Sequence, residues 1–166
     1  MKKRIVMICA LLVSGTLAFA QENVHYRKRY RADIELSYHV NDSWFFTTSH
    51  GYGFGNGLYI GGGSGFGVEY VPDYYAKADC LLPLFADLKY SFLNKAASPF
   101  LSIKAGGYAN VNSEEVKGIR VFVNPAIGVE IKRFSIRAGY EYQHKVWGID
   151  KGANKHNFKC SVAFTF

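Results

Sequence analysis

Ser49 and His50 set a hydroxyl beside an imidazole, the residue types of a nucleophile and its base. Neighbours on an extended chain project to opposite faces, so in a strand these two cannot act as a pair. The run Gly61-Gly62-Gly63-Ser64-Gly65-Phe66-Gly67 invites a phosphate-loop reading. No G-x-G-x-x-G register fits it, and no strand-to-helix context surrounds it. His144 and His156 share a polar stretch, but two imidazoles without thiolate or carboxylate support make a poor metal site. Cys80 and Cys160 fall on segments expected to lie nearly across the molecule from one another, and so read as two unpaired thiols. No catalytic, cofactor-binding or metal-ligating residue is expected, and the chain reads as a non-enzyme.

Such residues need elements to hold them, and the first 20 residues belong to none. Lys2, Lys3 and Arg4 precede an apolar run from Ile5 to Leu17, and Ala18-Phe19-Ala20 forms a small-x-small cleavage site. All three parts of a secretory signal peptide are present. The run is shorter than the roughly 20 apolar residues of a membrane-spanning helix. Residues 1–20 are therefore assigned to export and 21–166 to one mature domain. Loss of three basic residues lowers the formal net charge from +7 to +4, a modest excess that does not suggest a nucleic-acid partner.

The mature segment is rich in Gly (17 in the whole chain), Tyr (12) and Phe (13), and it lacks a 3.6-residue apolar period. Strict alternation replaces it. The pattern predicts strands at 31–40, 44–52, 58–70, 82–92, 99–109, 119–131, 134–142 and 157–166. Between them lie tight turns and three longer loops, at 71–80, 110–118 and 143–156. The first connection, Asn41-Asp42-Ser43, is short. An even number of strands joined as successive hairpins predicts an all-β, eight-stranded, antiparallel up-and-down barrel.

The alternation separates an apolar face from a charged one. Arg31, Asp33, Glu35, Glu69, Asp87, Lys89, Lys104, Arg120, Glu130, Arg137, Glu141 and Lys159 share the charged face. A soluble barrel would turn these outward. A transmembrane barrel turns them inward. Four features favour the second arrangement. Opposite charges fall at similar depths on the polar face, together with regularly spaced Gly, which suits a narrow lumen. Tyr and Phe gather at strand ends on the apolar face, as in interfacial girdles. Strand lengths suit a tilted crossing of the bilayer. Loop lengths differ between the two rims. Eight strands enclose a space just wide enough for side chains to fill, so the charges are expected to form a structural plug. A small porin-like channel, a soluble lipid-binding periplasmic barrel and a lipid-modifying enzyme are the alternatives. Lys145, Trp147, Lys151 and Lys155, within the 143–156 loop, are candidates for contact with anionic lipid headgroups or lipopolysaccharide at the outer surface.

The signal peptide, the eight alternating segments and the terminal row Phe158, Cys160, Val162, Phe164, Phe166 resemble small outer-membrane β-barrel proteins of Gram-negative bacteria, of the OmpX/Ail and porin-like type. The segments LYIGGGSGFGVEY (58–70) and LPLFADLKYSFL (82–93) are similar to that group as well. The resemblance implies an outer-membrane location with membrane lipids as neighbours. It also implies that Phe158, Val162, Phe164 and Phe166 form the C-terminal signal read by the barrel assembly machinery. The short first connection departs from barrels with tall outer strands.

Overall fold

The computed structural model describes residues 28–40, 43–71, 77–111, 118–147 and 154–166. The segment assigned to export lies outside these residues. The described residues form eight strands: β1 (Lys28–His39), β2 (Ser43–Phe54), β3 (Leu58–Val71), β4 (Lys77–Ser91), β5 (Ala97–Asn110), β6 (Ile119–Ile131), β7 (Phe134–Trp147) and β8 (Asn154–Thr165). Each pairs antiparallel with the next in sequence, and β1 closes on β8 from Asp33↔Thr165 to His39↔Lys159. Closure leaves no sheet edge unpaired along this shared length.

One rim carries the start of β1, the end of β8 and connections 55–57, 92–96 and 132–133. The other carries connections 40–42, 72–76, 111–118 and 148–153. We refer to these as the terminal rim and the loop rim. At the terminal rim, Gly55 (φ 81°) and Gly57 (φ 87°) occupy the left-handed region that a Cβ disfavours, which lets β2 turn sharply into β3.

The polarity of the wall is inverted relative to a soluble barrel. Leu84 is 72% and Ile127 64% exposed on the outside, whereas Glu35 and Arg137 are only 2% and 3% exposed within. Exposed aromatics cluster at the two ends: Tyr30, Tyr52, Phe54, Tyr90, Phe92 and Phe134 near the terminal rim, and Trp44, Tyr140, Tyr142 and Phe158 toward the loop rim. Many touch edge-to-face, as Tyr52 does Phe54 and Tyr90 does Phe92.

Two predicted loops are shorter than the sequence suggests. β4 begins at Lys77, so Cys80 lies within a strand and not in a loop. β7 continues to Trp147 and β8 starts at Asn154, leaving 148–153 between them. The alternation persists through 143–146, but its inward residues are Gln143 and Lys145. With His144, Asn154 and His156 on the outer face as well, the segment is polar on both sides and has the composition of a loop.

Two prolines interrupt the wall. Between β3 and β4, pairing passes from Ser64↔Leu84 to Gly67↔Leu81 around Pro83. Between β6 and β7 it passes from Val123↔Tyr142 to Ala126↔Gly139 around Pro125. Proline brings no N–H to a ladder and is ordinarily confined to sheet edges, which a closed barrel lacks.

Candidate functional site

Inward parity on every strand but β2 delivers charges to one narrow space, where they sort by height. Near the terminal rim, Arg31 Nη2 donates to Glu130 Oε1 at 2.5 Å, and Lys89 Nζ lies 2.9 Å from Asp33 Oδ2 and 3.5 Å from Glu130 Oε2. Thr165, the last residue of β8, donates its hydroxyl to Asp33 at 2.6 Å, tying the end of the chain to β1 inside the barrel.

At mid-height Glu35 is the hub. Its Oε2 accepts from Lys104 at 2.8 Å and lies 3.0 Å from Arg137 Nη2, while its Oε1 lies 3.7 Å from Lys159 Nζ. Asp87 sits 3.9 Å from Lys104. Three cations from three strands thus converge on one buried carboxylate. Desolvation offsets most of the attraction within such clusters, whereas removing one member costs about 3–5 kcal/mol. Breaking the network at one member is therefore costly even where the intact network adds little net stability.

Above the hub an apolar cluster enters the lumen, beside His39 and Glu141. Phe45, Leu81, Phe85, Tyr108 and Phe122 form one buried cluster. Tyr108 stacks on Phe122 with ring centroids 4.4 Å apart and meets Phe45 at 5.2 Å. Its hydroxyl donates to Glu141 Oε1 at 2.9 Å. The cluster is joined to the ionic layer beneath it, for Lys104 Nζ lies 4.7 Å from the Phe85 ring centroid and Lys159 Nζ 6.0 Å from that of Phe45.

Glycines make room for these rings. A Cβ on Gly67 would overlap the Phe45 ring, one on Gly63 the Phe85 ring, and one on Gly128 the ring of Phe100. The glycine run thus has a spatial role: the bare inner face of β3 accepts aromatic rings projecting from β2 and β4.

At the loop rim, Glu69 accepts from Arg120 and from Lys155, each at 2.6 Å. Lys145 is buried inside the wall. Lys145 therefore does not belong to the outward headgroup-binding group drawn from the sequence, because strand parity turns it into the barrel, and Lys155 is held by Glu69 at the mouth with 43% of its side chain exposed. Trp147 ends β7, and Lys151 lies outside the described residues.

Eleven of the twelve charges taken from the polar face are buried in the lumen, and Arg120 is half-buried at its mouth. Parity also brings in His39, Lys145 and Lys155, which the sequence analysis did not count among them. It missed the aromatic cluster as a unit, although Phe85 and Phe122 share parity with Asp87 and Asn124. In the terminal row, Phe158, Val162 and Phe166 face outward, and Phe164 is half-buried between Phe134 and Phe166, each at 5.0 Å. Ser49 points inward to the Tyr59 hydroxyl at 2.9 Å, whereas His50 points outward to the hydroxyls of Tyr30 and Thr48. Cys80 and Cys160 are free thiols on the outer face.

No protein-family model matches the chain, and no curated protein matches it. Among solved structures, the N-terminal β-barrel domain of Pseudomonas aeruginosa OprF is similar at 16% identity, covering 84% of this chain and 100% of that one with a TM-score of 0.48. Neisserial surface protein A (NspA) is similar at 14% identity, covering 82% of this chain and 96% of that one with a TM-score of 0.50. The likeness to the latter is one of fold. The architecture is that of the small outer-membrane barrels the sequence resembles: eight antiparallel strands closed on themselves.

Proposed function

We propose that the chain is an integral protein of the bacterial outer membrane with a structural or surface-interaction role, no enzymatic activity and a lumen plugged by its own side chains. The observation that carries this reading is the inverted wall. A belt of Leu, Ile, Val and Phe faces outward from a charged interior, an arrangement that water penalises and hydrocarbon favours. Within hydrocarbon every backbone N–H and C=O must be paired internally, a condition that closed barrels meet. Strands of 12 to 15 residues exceed the roughly 9–11 needed to cross a bilayer, so their ends stand clear of the apolar core. Aromatic belts at both ends suit the two interfaces.

In this reading the terminal rim faces the periplasm, the loop rim faces outward, and the apolar belt contacts membrane lipid and lipopolysaccharide. The outward row Phe158, Val162, Phe164 and Phe166 serves the assembly machinery during insertion. Membrane fractionation combined with a heat-modifiability gel tests the reading. The protein is expected to resist carbonate extraction and to migrate faster unheated than boiled. Recovery in the soluble periplasmic fraction would refute it.

A further inference from the structure

We propose that the barrel is a closed passage whose barrier to water and ions is the apolar septum of Phe45, Leu81, Phe85, Tyr108 and Phe122, and that the ion-pair network does not seal it. The proposal rests on the membrane-spanning reading above and extends it to the lumen.

The interior is divided. The septum lies in the half toward the loop rim: Phe45 is two residues into β2, Phe122 three residues past the start of β6, and Tyr108 two residues short of the end of β5. Below it the lumen is polar and under-satisfied. Both carboxylate oxygens of Asp87, the Nε and Nη1 atoms of Arg137, and the hydroxyls of Ser102, Ser135 and Ser161 have no hydrogen-bond partner among the described residues. Buried polar atoms of this kind are ordinarily met by water. A zone with spare donors and acceptors receives water and small ions readily, and its side chains can trade partners as an ion passes. The septum is the opposite. Its one polar atom, the Tyr108 hydroxyl, is already bound to Glu141, and its rings meet one another at contact distance, with His39 against Phe45 and Glu141 against Tyr108 on the facing wall. Apolar constrictions stop conduction by excluding water.

The fold builds the septum deliberately. Gly63 and Gly67 are bare where Phe85 and Phe45 enter, and Lys104 and Lys159 stand under those two rings. The ionic layer thus ends where the septum begins.

The test is single-channel recording on purified, folded protein in planar lipid bilayers with potassium chloride. Wild type is expected to give no regular steps. Phe85→Ala/Phe122→Ala is expected to give reproducible conductance steps, and Glu35→Gln, which loosens the ionic hub, is expected to stay shut. A silent Phe85→Ala/Phe122→Ala barrel, steps from Glu35→Gln, or steps from wild type would each overturn the proposal. Heat-modifiable mobility confirms folding before each recording. Should the double variant not fold, Phe122→Ala alone is read by the same criterion. A wild-type protein that fails to enter membranes counts against the membrane-spanning reading. An inserted, folded but silent septum variant counts against the septum alone.

Discussion

At the scale of single residues, the glycines carry the sharpest structural consequence. Gly67 lies on the inner face with the Phe45 ring where its Cβ would be, whereas Gly62 on the outer face would meet only the Phe85 carbonyl oxygen at 3.6 Å. Gly67→Ala forces a ring in a filled lumen to move, a strain of about 1–3 kcal/mol. Gly62→Ala is expected to be nearly neutral. Denaturant unfolding of the two variants in one detergent checks this, and equal midpoints would show that the inner glycines have no spatial role. The regular spacing of glycine was legible in the sequence as a sign of tight space. The rings that fill that space come from β2 and β4, and no local pattern in β3 names them.

Among the elements, β6 and β7 show one place where the ladder is interrupted. Pro125 faces outward and lacks the N–H that a ladder position would supply, and the pairs opposite Asn124 and Pro125 are missing. Pro125→Val restores a donor with a side chain suited to the apolar face. The expected result is a gain of about 1 kcal/mol in unfolding free energy, with slower amide exchange on β7 around Tyr140. Unchanged or faster exchange there would mean the gap is imposed by the neighbouring strands and not by the proline. The strands themselves were mostly legible. Apolar outward residues mark β6 over the same span in sequence and structure, Ile119–Ile131. The error at 143–156 arose where inward positions are Gln143, Lys145 and Lys155, because a period of two is hard to see when one face is polar and the other holds His144 and His156.

For the whole molecule, the outward thiol of Cys160 reports where the belt lies. It pairs in register with Tyr38 on β1 and Ala138 on β7, well inside the apolar wall. With Cys80 replaced by alanine, Cys160 in native membranes is expected to react with a lipid-soluble maleimide and to be protected from a charged one until detergent or denaturant is added. Rapid reaction with the charged reagent in intact membranes would place that face in water. The lumen network gives the same answer from the other side, since closure of β1 on β8 is what buries Asp33, Glu35 and Lys159 together.

The order of residues by itself determined the class of structure. Alternation set strand number and parity, and parity decided which side chains share a face, because a strand's side chains repeat every two residues whatever surrounds it. It also separated an ionic face from a greasy one. Tertiary structure alone decided who meets whom across the lumen. Glu35 gathers Lys104, Arg137 and Lys159 from strands far apart in sequence, and five buried side chains from four strands pack into one cluster. Those meetings depend on the stagger and closure of the sheet, which are properties of the ring and of no single strand.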